Sequence, residues 1–457
     1  MSTDLVIKNG WVVTPEQTFK GGVAIENDKF VSIGPDDTLP EGKEEIDVKG
    51  NHILPGIIDA HVHFREPGLT YKEDFGTGST AAVCGGVVMV VDMPNTIPPV
   101  TGPEQVEEKE RLAEEKSFVD FSLLGVVVQT NADQILPMAK VGALGYKIFF
   151  GETIGNLPFP DDGVCTEVFQ NITKTKLPLS IHAENRQIMY YHLNKLKAEG
   201  KNDPIYWESS RPNICEAESV AHALFFAETY GTKLHVLHMS SKQAAWIVRD
   251  AKARGLRVTA ETGPHYLLRE SKEMAKVGSL LKMNPPVRDK DHGEVLWDGL
   301  LNGYVDMIAT DHSPHTLEEK GSDLYGKLLK PTIWECISGF CGVETGPTLI
   351  LTEVNKGRMT LNHYVKLTSE NPAKVWQIYP QKGALKLGSD GDLTIVDMDK
   401  EGVIDVNKLH SKNKPSPWHG WKVKGIPVCT VVRGHVQMRD GQVVGKPIGR
   451  MVRPKPE

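Results

Sequence analysis

The run "VVMVVDMP", Val87–Pro94, is apolar at every position up to its aspartate. A strand with one face in water alternates apolar and polar residues; one that is apolar on both faces lies in a parallel sheet covered by helices. "LGYKIFF" (144–150), "PLSIHAE" (178–184), "KLHVLHMS" (233–240), "LRVTAET" (256–262) and "VDMIATD" (305–311) are of the same kind. Between them lie helical stretches such as "CEAESVAHALFFAETYG" (215–231) and "SKQAAWIVRDAKARG" (241–255). Alternating strands and helices in this number suit an eight-fold β/α barrel over residues 55–370 better than an open sheet. Outside it the style changes. "DLVIKNGWVV" and "GGVAIENDKFVSIG" at one end, and "DLTIVDMD" and "PVCTVVRGHVQMRDGQVV" at the other, are short β-branched runs split by turn residues. Residues 1–54 together with 371–457 are therefore expected to pair into one small β-sandwich domain.

Composition narrows the function. At 457 residues, with 40% apolar and 24% charged residues, the chain reads as a soluble globular protein of two or three domains. A net charge of −7 without a basic block argues against nucleic acid or an anionic membrane as partner. No apolar run reaches the ~18 residues of a membrane span, and "MSTDLVIKNGW" is not a basic-then-apolar leader. Six scattered cysteines without a C-x-x-C pair read as free buried thiols, which makes the cytoplasm the expected compartment.

The active site of a β/α barrel forms at the C-terminal ends of its strands. There the sequence places His61 and His63, Lys147, His182, His238 and Asp311. His61 and His63 are two apart, so on one strand they share a face. His235 and His238 point opposite ways, and His238, nearer the strand end, is the better ligand. Imidazole and carboxylate suit zinc and related divalent ions. Four histidines and an aspartate exceed what one ion takes, so two ions and a bridging ligand are expected. An ammonium cannot bridge, having donors only. Desolvated beside cations, Lys147 would lose its proton, and the neutral amine can add carbon dioxide to become a two-oxygen carbamate. Singly, each residue has an ordinary explanation as a core histidine or a paired lysine. The coincidence of all six at strand ends favours a metal site.

"DAHVHFREPG" (59–68), "AAVCGGVVMVVDMPNTIPP" (81–99), "HAEN" (182–185), "LLKMNPPVRDK" (280–290) and "ATDHSPH" (309–315) resemble the cyclic amidohydrolases. That group comprises hydantoinases, allantoinases, dihydropyrimidinases and dihydroorotases. The resemblance covers nearly the whole chain and is strongest to the L-hydantoinase and allantoinase branch through "GVET" (342–345) and the stretch from Asn355 onward. It implies a binuclear centre, usually zinc, with manganese or cobalt as alternatives. His61, His63 and Asp311 resemble the ligands of one metal and His182 and His238 those of the other, with carboxylated Lys147 as bridge. The implied reaction is hydrolysis of the ring amide of a small cyclic ureide to a ureido acid, with Asp311 as base and then acid. A homotetramer or dimer is implied as well.

In the dihydroorotases an arginine, an asparagine and a histidine clasp the substrate carboxylate, and Arg65, Asn95 and His315 occupy the matching positions. The other reading of Arg65 is a loop brace paired with Glu66 or another carboxylate. Asn284 matches a segment that binds the imide edge of the ring. Two departures matter. The type I dihydroorotases that "NPPVRDK" most resembles commonly lack the bridging lysine present here in "GYKIFF". D-hydantoinases and dihydropyrimidinases carry a tyrosine five residues after that lysine, where this chain has Glu152, in a Gly- and Pro-rich segment expected to be a mobile loop over the barrel mouth. A hydantoin or allantoin is therefore the expected substrate and dihydroorotate the alternative. A single-metal barrel deaminase and a non-catalytic dihydropyrimidinase-related scaffold are disfavoured, because all six ligand positions are filled.

Overall fold

The computed structural model describes residues 3–151 and 157–456. Eight parallel strands follow one another around a barrel in chain order: β1 (Ile57–Val62), β2 (Val87–Asp92), β3 (Asp120–Val127), β4 (Gly145–Phe149), β5 (Leu179–His182), β6 (Leu234–Val236), β7 (Val258–Thr262) and β8 (Met307–Ile308). Every residue of β2 is buried, as an apolar run covered on both faces requires. The barrel closes at a parallel bridge between Val62 and His312. Two further hydrogen bonds stitch this seam, from His63 N to His312 O (2.7 Å) and from Thr310 N to the Asp59 carboxylate (3.0 Å).

Local signals set the covering helices. Asn213–Tyr230 stops at Gly231, whose φ of +70° favours glycine. Lys242–Ala253 starts at Ser241, whose hydroxyl accepts from the Ala244 amide.

The two chain ends share one nine-stranded sheet. Thr3–Val13, Thr18–Glu26, Lys29–Gly34, Gly42–Asp47 and His52–Pro55 come from the first end, and Leu393–Val403, Lys422–Val432, His435–Arg439 and Gln442–Val443 from the second. His52–Pro55 is the strand where they meet, parallel to Thr3–Val13 and antiparallel to Leu393–Val403. The ends also share a core, in which Leu5, Ile25 and Ile53 pack with Leu393, Ile395 and Val431. Gly56 alone separates His52–Pro55 from β1; a Cβ there would stand 2.3 Å from Val88, so the close crossing needs glycine.

A buried charge cluster ties this sheet to the barrel. Lys382 reaches Asp120 at 2.5 Å, Asp392 at 2.7 Å and Asp390 at 2.9 Å, and Arg433 also pairs with Asp120. Three carboxylates overcome the burial penalty on Lys382 and raise its pKa. The cluster is structural: an ammonium already fills its centre. The six cysteines are free and buried. Among the described residues, no helix is long and apolar enough to cross a membrane.

Candidate active site

The expected residues converge at the C-terminal mouth of the barrel. His61 lies within β1 and His63 just past its end; Lys147 is in β4, and His182 closes β5. His238 and Asp311 lie in the turns after β6 and β8 with φ of +35° and +49°, and Arg65 has +65°. Left-handed backbone at non-glycine residues costs about 1–3 kcal/mol each and persists where packing imposes it, often at functional sites.

His63, Lys147, His182, His238 and Asp311 line one cavity of about 70 Å³, with Arg65, Asn95 and Asn284 on its wall. His61 lies beneath it, fully buried. One ligand atom each of His61, His238 and Asp311 falls within 4.8 Å of the others. His61 Nε2 is 3.2 Å from Lys147 Nζ and 3.4 Å from Asp311 Oδ1, and His63 Nε2 is 3.3 Å from the same oxygen. His182 Nδ1 faces His238 Nε2 at 2.9 Å.

Two carboxylates that sequence reasoning missed orient these rings. Glu261 accepts from His61 Nδ1 at 2.5 Å and from His235 Nε2 at 3.1 Å, and the His238 amide bonds it at 3.2 Å. Glu184 faces His182 Nε2 at 3.0 Å. An acid on one ring nitrogen fixes the proton there and leaves the other nitrogen as a lone pair. The lone pairs of His61 Nε2 and His182 Nδ1 therefore face the cavity side. Glu184 stood visibly in "HAEN", two residues after a candidate ligand; Glu261, in an apolar strand, carried no such signal.

Burial dominates the electrostatics. It pushes His61 down to about 4 and His63 and His238 well below the usual imidazole range, so the rings are neutral at neutral pH. It also lowers the pKa of Lys147 and raises that of Asp311. Neutral imidazoles are the ligand form. His238 Nδ1 is buried without a hydrogen-bond partner among the described residues. The donor set of nitrogens with one carboxylate fits a zinc-like divalent ion.

Arg65 ties the turn after β1 to the turn after β8, but without the Glu66 ion pair of the bracing reading. Glu66 pairs with Lys116 at 2.5 Å and accepts from the Phe75 amide, so it is not the partner of Arg65. The Arg65 side chain donates to Ser313 Oγ (2.6 Å) and Pro314 O (3.3 Å) and touches His315 Nε2 (3.1 Å). Among the described residues no carboxylate lies within ion-pair distance, and its buried Nη1 has no partner. His315 stands behind Arg65 rather than on the cavity wall, with its Nδ1 3.1 Å from Lys72 Nζ. Asn284 Oδ1 accepts from Ser338 Oγ at 3.0 Å. Glu152, with residues 153–156 of the expected loop, lies outside the described residues.

Comparison with known proteins agrees with this geometry. Residues 52–437 match the amidohydrolase family. An allantoinase of Deinococcus radiodurans is 33% identical over 458 residues, covering 100% of both chains. A dihydroorotase of Methanosphaera stadtmanae is 36% identical over 410 residues, 89% of this chain and 90% of that one. The solved L-hydantoinase of Arthrobacter aurescens superposes with a TM-score of 0.95 at 34% identity, covering 99% of this chain and 100% of that one.

Proposed function

Since the chain belongs to the amidohydrolase family, we propose that it hydrolyses the ring amide of a small cyclic ureide, of hydantoin or allantoin type, to a ureido acid. The observation that carries the reading is the convergence of His61, His238 and Asp311 ligand atoms within 4.8 Å beside Lys147.

In this proposal His61, His63 and Asp311 would hold one divalent ion and His182 and His238 a second, zinc before manganese or cobalt. Lys147 would hold both ions if its neutral amine added carbon dioxide with loss of a proton, and burial, which lowers its pKa, favours that amine. When bound, such ions lower the pKa of water to about 7 and polarise a carbonyl oxygen. The chain's own groups do the rest. Glu261 and Glu184 keep the imidazole lone pairs turned inward. Asp311 takes the proton of the attacking water and returns it to the ring nitrogen as the C–N bond breaks. Asn284 borders the cavity where the imide edge of the ring would rest. Family membership adds the expectation of a cytoplasmic homo-oligomer, dimer or tetramer.

Arg65 favours a second reading, an acidic ring such as dihydroorotate. A buried guanidinium answered only by neutral acceptors is a costly arrangement that a substrate carboxylate would relieve. The experiment is to count metals per chain and compare kcat/KM for allantoin, hydantoin, 5-substituted hydantoins of both hands, dihydrouracil and dihydroorotate. Turnover of a ureide with two metals per chain is expected. Absence of metal, or of turnover on every ring, would overturn the proposal.

A further inference from the structure

A second cavity, about 620 Å³ in volume, lies against the first and shares Asn284 and Ser338 with it. The hydrogen bond between those two residues forms part of the common wall. Trp207, Trp334 and Tyr190 line it with four basic side chains, and no carboxylate is among its lining residues.

The four bases are not equal. Lys72 is answered by Glu319 at 2.7 Å, and Lys282 by the carbonyls of Ile333 and Cys336. Arg211 gives only Nη1, to Glu184 at 2.5 Å. Its Nε and Nη2 bond to none of the described residues, although the side chain is only 4% exposed. The guanidinium lies 4.9 Å from the Trp207 ring and Lys282 Nζ 3.8 Å from it, so that buried ring is already covered by cations and the open aromatic walls are Trp334 and Tyr190. Lys197, on the exposed face of its helix, lies 6.0 Å from the Trp334 ring and has no ion-pair partner among the described residues. A buried guanidinium with idle donors beside flat aromatic walls matches a ligand that is both planar and negative.

We propose that this second cavity binds a planar organic anion, an aromatic or conjugated carboxylate, with the carboxylate toward Arg211 and Lys197 and the ring against Trp334 and Tyr190. The anion site at Arg211 and Lys197 adjoins the catalytic cavity across Asn284 and Ser338, and it does not depend on the ring chemistry proposed above.

The test titrates the full metal-loaded chain with benzoate, and with benzamide as the uncharged isostere, by calorimetry and tryptophan fluorescence. Saturable benzoate binding is expected, with benzamide at least about tenfold weaker. Lys197→Glu, on an exposed helix face, should weaken benzoate by about tenfold or more. Arg65→Gln, in the catalytic cavity, should leave benzoate affinity unchanged. No saturable signal, equal affinity for benzamide, or an unaffected Lys197→Glu would each overturn the proposal. So would loss of binding in Arg65→Gln, which would place the benzoate in the catalytic cavity.

Discussion

Replacing Glu261 with glutamine tests whether the metal site depends on a residue that cannot touch the metal. The carboxylate takes the Nδ1 proton of His61 at 2.5 Å, contacts His235 Nε2 at 3.1 Å and accepts the His238 amide at 3.2 Å. Glutamine keeps the shape but has one acceptor oxygen, and with that oxygen on His61 and the His238 amide its NH2 group confronts His235 Nε2. Even with that oxygen opposite Nδ1, a neutral amide holds the His61 proton less firmly than a carboxylate, so the proton moves more readily to Nε2, the nitrogen facing Lys147 and Asp311. Losing such an outer partner costs about 10–100-fold in metal affinity, or ~1.4–2.7 kcal/mol. The assay is equilibrium competition against a chelator, read as metal per chain. Glu319→Gln, which removes an acid that pairs with Lys72 instead, serves as control. Glu261→Gln should fall in that range while the control holds metal like the parent. Equal affinity in Glu261→Gln and parent would refute the idea that Glu261 sets the His61 tautomer.

Arg65→Gln should cost an acidic ring about 2–4 kcal/mol in kcat/KM and an uncharged hydantoin far less; equal losses on both would return Arg65 to a bracing role. Lys382→Met leaves Asp120, Asp390 and Asp392 buried with fewer cations, and should lower stability by about 3–5 kcal/mol in urea unfolding. A loss under ~1 kcal/mol would show that this cluster does not hold the two sheets together. His265 is buried and held down at about 3 against the ordinary 6.5. The unfolded chain therefore takes up the extra proton as pH falls from 6.5 toward 3, so the stability of the fold drops in that window. At ~1.4 kcal/mol per pH unit this histidine costs about 2 kcal/mol at pH 5. His265→Leu should flatten that acid limb relative to the parent in paired unfolding curves at pH 7 and pH 5, and identical slopes would count against it.

What the sequence made legible was whatever a short window contains. The unbroken apolar character of Val87–Val91 shows burial on both faces, and the histidines of "DAHVHF" and "SIHAE" stand where such runs end. Pairings between distant residues were not legible. Glu261 sits in "VTAET" like any strand residue, and its role exists only because β7 brings it beneath His61, 200 positions away. Likewise Glu66 follows Arg65 directly, yet the chain turns it toward Lys116. Adjacency in sequence suggested an ion pair that the backbone direction forbids. His315 shows the same limit: its place in a motif did not reveal that it touches Arg65 and does not itself line the cavity.

The seam between β1 and β8 joins segments about 250 positions apart, as the bonds from Arg65 to Pro314 and from Thr310 to Asp59 show. His61 and Asp311 belong to those two edges. During synthesis a ribosome must deliver about two-thirds of the polypeptide before the opening histidines meet their aspartate. Competence for chemistry thus arrives late in folding, after helices and neighbouring strands have already formed. In refolding, recovery of turnover should lag behind recovery of circular dichroism.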